Sequence, residues 1–461
     1  MVVASLLLLA AGAWLGLVRQ QELAALMQTA EPGPEWAVIA VVVAIVVTAL
    51  LVLAARGVRA LVRLLARPLL RILPAPMATI ATALAVAIVG LFAVSRLPAF
   101  ATTALAGMFE SANNQTTAGL VQPSSPVVTG SPQSVMTWDS LGHDGRDFIG
   151  GVTPRRSIAT FTGAPARDPI RVYAGIEAAD TAAARATLAV QDLDRFDAWD
   201  RAVIAIGTST GTGTVDQGEV APLEYLYGGD VATVSTQYSV LPSFLSFLVD
   251  QANAKEAALT LFDAVYNRWS QLPERQRPRL VVFGESLGAF GADAPFADLQ
   301  QMVARTGGAL FEGPPNATAL WQRYTDAREP GSLERLPVYY NGRSMRWADD
   351  PSDYDRPTSA WREPRIGYLQ NASDPVVWWS PELLWSRPDW LAEPRGPDVL
   401  TSLDWIPGIT FLLISGDMVN SQSVPQGHGH VYGSNGARVW ARIIPPPGWT
   451  DADTQRLAAI S

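Results

Sequence analysis

The sequence predicts an α/β protein, a mostly parallel sheet flanked by helices, preceded by an all-α membrane region. Three observations carry the prediction. The first hundred residues hold three long apolar stretches, and beyond them short apolar runs alternate with helical segments. One of those runs, Arg279–Phe283, passes directly into Gly284, Glu285, Ser286, Leu287 and Gly288.

At 461 residues the chain is too long for one ordinary core. Hydrophobic residues make up 48% and charged residues 17%, a balance shifted toward contact with lipid. The formal charge of -9 removes the concentrated basic surface that a nucleic-acid binder needs. With no cysteine there is no disulfide and no thiolate metal site. His143, His428 and His430 are the only histidines, too few for a dedicated zinc cage, and no cofactor is expected.

The apolar stretches run from Val2 to Val18, Trp36 to Ala55 and Pro76 to Val94, each near the length that spans hydrocarbon. No small-residue cleavage pattern follows the first, which reads as a span rather than a leader. Between the second and third lie Arg56, Arg59, Arg63, Arg67 and Arg71, which mark that connection as cytoplasmic. Arg19 and Arg96 stand alone, so everything after Arg96 is expected outside the cytoplasm, the chain being a multi-pass protein of the plasma membrane. The five arginines recur every three or four residues, so the connection reads either as an interfacial helix with one basic face, which anionic headgroups would attract by about 1 kcal/mol per arginine, or as a plain cytoplasmic loop.

Residues 113–134 are rich in Ser, Thr, Gly, Pro, Asn and Gln and read as a linker or a loose cover. Strands are expected at Ile170–Ala174, Ala202–Ile206, Arg279–Phe283, Ala309–Glu312, Val338–Asn341 and Ile366–Gln370. Helices are expected at Ala178–Leu193, Phe244–Trp269 and Ala289–Val303. The strand Arg279–Phe283 shows no polar face, as a parallel strand covered on both sides requires.

Strand, Gly-Glu-Ser-Leu-Gly and helix together form a nucleophile elbow in its required context. The tight turn leaves room only for glycine on either side of Ser286, and the helix that follows favours developing negative charge. Gly207–Gly211 matches the same spacing around Ser209. There the next residues, Thr212–Pro222, hold further glycines and a proline and are not expected to begin a helix, so Ser209 is set aside.

The partners of Ser286 should follow it in the order acid, then histidine. Asp374, just past the strand Ile366–Gln370, is the expected acid, with Asp404 and Asp417 as alternatives. Only His428 and His430 lie beyond it, in a glycine-rich loop; either can serve as base, and His428 is preferred because it directly follows Gly427. The backbone N–H of Leu287 is the first expected oxyanion donor, and Gly175 and Ile176, between a strand and a helix, are candidates for the second. His143 falls outside this order and reads as structural.

The elbow Gly284–Gly288, the segment Asn371–Pro375 and the loop Gly427–Gly433 together resemble the α/β hydrolase superfamily. More narrowly, the chain is similar to membrane-bound actinobacterial hydrolases that join a multi-span N-terminal region to an extracytoplasmic domain. The likeness runs from about Arg146 onward and extends to the N-terminus through the two-part layout. It implies an α/β hydrolase fold and cutinase- or lipase-type ester chemistry, and it also implies more membrane sequence ahead of the first span.

The expected organisation is a transmembrane region over 1–95, a linker or cover over 96–145 and a hydrolase domain over 146–461. The expected function is a serine ester hydrolase or acyltransferase whose partners are membrane lipids and an acyl ester, with lipids or acylated envelope glycans as substrates. Trp378, Trp379, Trp385, Trp390 and Trp405, beside the apolar run Ile406–Ile414, read either as a lid and acyl pocket or as core. The rival reading is a catalytically silent membrane protein that uses the fold to bind envelope partners.

Overall fold

The computed structural model describes the backbone of residues 2–433 and 435–460, and the side chains of these except 2–9, 51 and 91–106. The chain divides into two units, Met1–Thr103 and Ala104–Ser461.

Each of the three N-terminal apolar stretches lies on a helix: Val2–Leu26, Pro34–Leu69 and Ala75–Asn113. Pro34–Leu69 is long and apolar enough to cross a membrane, with a mean hydropathy of 3.2 over a window of which none is buried. At 1.5 Å per residue it is roughly 54 Å long, well beyond the ~30 Å of a hydrocarbon core. Arg56, Arg59, Arg63 and Arg67 lie on its last turns, so the arginine stripe continues the apolar helix instead of forming a separate interfacial one. Nothing before Pro68 interrupts the helical hydrogen bonds, which is why it runs through. The side chain of Arg96, on which part of the expected orientation rests, lies outside the described residues.

The second unit is built on seven strands: β1 Ile170–Ala174, β2 Val203–Gly207, β3 Val231–Thr236, β4 Arg279–Glu285, β5 Gly308–Glu312, β6 Met345–Ala348 and β7 Arg365–Leu369. They pair in the order β1-β3-β2-β4-β5-β7-β6, every pair parallel. Helices cover both faces of the sheet, as the α/β hydrolase fold requires. Along β4 the side chains alternate: Leu280 and Val282 enter one buried cluster with Leu261 and Phe262 of helix Gln251–Ser270. Val281 and Phe283 enter the other, with Leu223 of helix Gln217–Leu226 and Trp440 of helix Asn435–Ile443. Strands apolar on both sides are the expected result.

Five expectations need correction. The run Val338–Asn341 is not a strand; Asn341 sits at φ 55 in a short 3-10 turn, and the edge strand is β6, four residues on. β3 was not expected, because Thr233, Ser235 and Thr236 interrupt its apolar pattern, yet all six of its residues are buried. A helix does begin within the segment after Gly211, at Gln217, where the Asp216 side chain accepts from the Gly218 N–H, and Pro222 is accommodated inside it. The expected helix Phe244–Trp269 is two, Ser243–Val249 and Gln251–Ser270, separated at Asp250. The one after the elbow is likewise split, into Leu287–Asp293 and Leu299–Arg305.

The far end of the presumed linker is firmly attached. Val128 is fully buried and bridges to Arg171 of β1, and Asp192 accepts from Thr129, Ser134 and the Val135 N–H.

Candidate active site

Because all seven strands are parallel, their carboxyl ends share one edge, and the loops leaving that edge meet. β4 ends at Glu285, and Ser286 follows at φ 56, ψ -123, a region that non-glycine residues rarely adopt. Its own N–H donates to the Glu312 carbonyl at the end of β5 (2.8 Å), which holds the turn against the neighbouring strand. Both flanking glycines are sterically required. A Cβ on Gly284 would lie 2.5 Å from the Gly288 carbonyl carbon, and one on Gly288 would lie 2.3 Å from the Thr208 carbonyl oxygen.

Asp374 follows β7 and opens a short helix, accepting from the Val376 N–H through Oδ1. Its other oxygen accepts from the His430 ring Nδ1 at 2.7 Å and from the Tyr432 hydroxyl at 2.5 Å. Asp374 and His430 are both buried. His430 Nε2 is buried too and has no hydrogen-bond partner among the described residues. An imidazole held by a carboxylate through Nδ1 presents Nε2 as the atom that acts as general base when the ring is neutral.

His428, the preferred base, is placed elsewhere. Its Nδ1 faces Asp398 Oδ2 at 3.0 Å, and Asp398 also accepts from the Ser373 hydroxyl. The physical reason lies in the loop: Gly427 and Gly429 both have positive φ, so the two histidines, one residue apart, leave the backbone toward different carboxylates. The loop is pinned by the Ser421 carbonyl, which accepts the His430 N–H, and by Asn371, whose amide donates to the Gly429 carbonyl. Asp404 and Asp417, the alternative acids, lie on the approach to helix Ile409–Asn420 and within it, while Asp374 takes the His430 nitrogen.

Gly175 and Ile176, the expected source of a second oxyanion donor, lie away from the elbow. Gly175 and Ile176 follow β1, which β3 and β2 separate from β4, a distance of roughly 14 Å at ~4.8 Å per strand. The Ile176 N–H already donates to Gln237, and Gly175 is packed against the Ser140 carbonyl. The loop after β2, the strand beside β4, carries Thr208 and Ser209 against Gly288. Ser209 is fully buried, its hydroxyl donating to the Thr236 carbonyl, so it presents backbone rather than a nucleophile.

Carboxyl groups crowd this edge. Burial, and after it the charges of Asp216 and Glu285, push Glu312 well above the usual carboxylate range. Burial also raises Glu219, with Glu312, Asp216 and Glu285 adding to it. Glu285 is lifted to about 7 by burial, against the pull of His430. For His430, burial opposes the charged ring, but Asp374, through charge and hydrogen bond, and then Glu285 outweigh it and raise the imidazole to about 9.

None of the histidine-loop contacts beyond the triad order was foreseen. Asp398, 30 residues from His428, gave no signal, and neither did the bond of the Tyr432 hydroxyl to Asp374. His143 lies with Asp144 and Asp147, close enough to share a cation. That group is already hydrogen bonded to Thr117, Thr212 and Thr214, and it serves to tie helix Gly142–Gly150 to the loop after β2. Of the tryptophans, Trp378 and Trp390 are core, Trp379 and Trp405 are half-buried and Trp385 is exposed.

A family model described as "Alpha/beta-hydrolase family" matches residues 170–457, and one described as "Alpha/beta-hydrolase family N-terminus" matches residues 1–152. Two solved chains, an acetylxylan esterase and an iodinated complex of acetyl xylan esterase, are similar at 17% and 16% identity. Each match covers 38% of this chain and 85% of the solved one, with TM-scores of 0.24 and 0.23, too low to carry an argument. No curated protein matches the chain.

Proposed function

The chain belongs to the alpha/beta-hydrolase family, and from that premise we propose that it is a membrane-anchored serine ester hydrolase or acyltransferase, with Ser286 as nucleophile, His430 as general base and Asp374 as the acid that orients the base. The observation that supports it best is the buried Asp374–His430 pair, with a free Nε2, at the same sheet edge as a serine held in a strained turn.

In this reading His430 Nε2 takes the proton from Ser286 Oγ as that oxygen attacks the ester carbonyl. The resulting oxyanion is received by the Leu287 N–H and by the Ser209 N–H, since the Thr208 N–H already donates to the Phe283 carbonyl. Collapse breaks the ester bond, and His430 delivers its proton to the leaving alcohol. Water, or an acceptor hydroxyl in a transferase, then enters by the same route and regenerates Ser286. Asp374 holds the ring throughout and stabilises the imidazolium, and Tyr432 holds Asp374.

The apolar helix Pro34–Leu69 supports anchoring, and the arginines on its last turns support a cytoplasmic position for that end. Passage of the flanking helices through the membrane, with the hydrolase unit outside the cytoplasm and lipids or acylated envelope glycans as substrates, completes the proposal.

The test is labelling of the full chain in detergent with a fluorescent fluorophosphonate. Wild type and Ser209→Ala should label and Ser286→Ala should not. Absence of labelling in a folded wild type, or labelling that persists in Ser286→Ala, overturns the assignment.

A further inference from the structure

Helix Ile409–Asn420 is apolar on both sides. Its inner side carries Ile414, 6% exposed, and Met418, which packs against Leu287, the residue after the nucleophile, together with Phe247 and Phe290. Its outer side carries Ile409 (51% exposed), Leu412 (68%), Leu413 and, beyond Gly416, Val419 (84%). A water-soluble surface helix puts charge on that side; here the one charged residue of the helix, Asp417, is half-buried, and the exposed side chains from Ile409 to Val419 are apolar.

The short helix Ser243–Val249 repeats the arrangement. Phe247 points inward onto Leu287, while Phe244 and Leu248, one turn apart, are each 64% exposed. Trp379 joins the two helices. It meets Phe247 edge-on at 5.9 Å and Phe411 at 5.5 Å, and its indole N–H donates to Ser415. Two exposed apolar faces are therefore mounted on one aromatic bridge, and both rest on the elbow. Such a patch on a soluble surface marks a binding site, and continuity with Leu287 says what it binds.

We infer that helices Ser243–Val249 and Ile409–Asn420 form an apolar collar that receives the acyl chains of a lipid ester and leads them to Ser286. The inference rests on Ser286 being the nucleophile. Long acyl chains fit because these faces are apolar and extended, whereas an acetyl group on a polysaccharide would leave them wet. The collar thereby selects lipid over acylated glycan.

The experiment compares kcat/KM for p-nitrophenyl palmitate and p-nitrophenyl acetate, using the full chain in detergent micelles. Wild type should prefer the long chain at least tenfold. The palmitate-to-acetate ratio should fall tenfold or more in Leu412→Glu/Val419→Glu and, separately, in Phe244→Glu/Leu248→Glu. A wild type that turns over acetate as well as palmitate, or variants that keep the ratio, would overturn the collar while leaving the esterase. Turnover of neither ester by wild type would remove the esterase itself. Loss of a concentration-dependent dimer in the variants, with the ratio unchanged, would assign the face to a second copy and overturn the inference.

Discussion

His430 Nδ1 lies 2.7 Å from Asp374 Oδ2, while His428, on the same loop, faces Asp398 at 3.0 Å. The pairing divides two chemically identical side chains into a ring with a free, buried Nε2 and a ring at the surface of the loop.

The division predicts unequal mutants. His430→Ala should lower kcat/KM for p-nitrophenyl acetate by 10³-fold or more, the scale seen when a triad base is lost. His428→Ala should cost less than ~10-fold, since it loosens the loop through Asp398 without removing the base. The reverse order would reinstate His428.

The charge around the imidazole sets a pH profile. A base works only when neutral, and His430 is raised to about 9, so kcat/KM should rise with pH through about 9. Because its folded value lies above the ordinary one, the stabilisation from the charged ring is present below about 6.5 and lost as pH climbs through 9. Glu285→Gln removes a negative neighbour and should shift the activity midpoint to lower pH. A midpoint unmoved in Glu285→Gln would show that this carboxylate does not act on the ring.

Glu312 is fully buried, and neither carboxylate oxygen has a hydrogen-bond partner among the described residues. Its folded value is raised, so the stability it carries is complete below about 4.5 and declines as pH rises above that. Glu312→Gln keeps the shape and removes the charge. It should raise stability at pH 8 by on the order of 1–3 kcal/mol in chemical denaturation, with little change at pH 4. Destabilisation at pH 8 would indicate a partner for the carboxylate.

Arg171 of β1 and Glu224 form an ion pair with both side chains fully buried, and Arg171 also donates to the Phe148 carbonyl and to Gln217. Arg171→Met strands the Glu224 charge and should cost about 3–5 kcal/mol by urea denaturation. Arg171→Met with Glu224→Leu should recover much of it. A single variant within about 1 kcal/mol of wild type would mean that water reaches the site.

Much of the sheet was legible in the sequence because its signal is local. β4 and the elbow need only a doubly covered strand, two glycines that fit where a Cβ would collide, and a helix start. β1, β2, β5 and β7 likewise announce themselves as short apolar runs. β3 did not, since Thr233, Ser235 and Thr236 look solvent-facing until the neighbouring strands bury them. The helix beginning at Gln217 was concealed by glycines and Pro222, and its cap, Asp216, became visible only with the turn in place.

The order serine, acid, histidine and the identities of Ser286 and Asp374 as candidates came from the chain itself, because an elbow and a strand-end acid are consequences of adjacent residues. Strand order did not: hydrogen bonding puts β2 beside β4 and leaves Gly175, the expected oxyanion-loop residue, at the far edge. Nor could spacing separate His428 from His430. That choice depends on two glycine backbones with positive φ and on carboxylates 30 and 56 residues away, which only the packed sheet edge brings within hydrogen-bond reach.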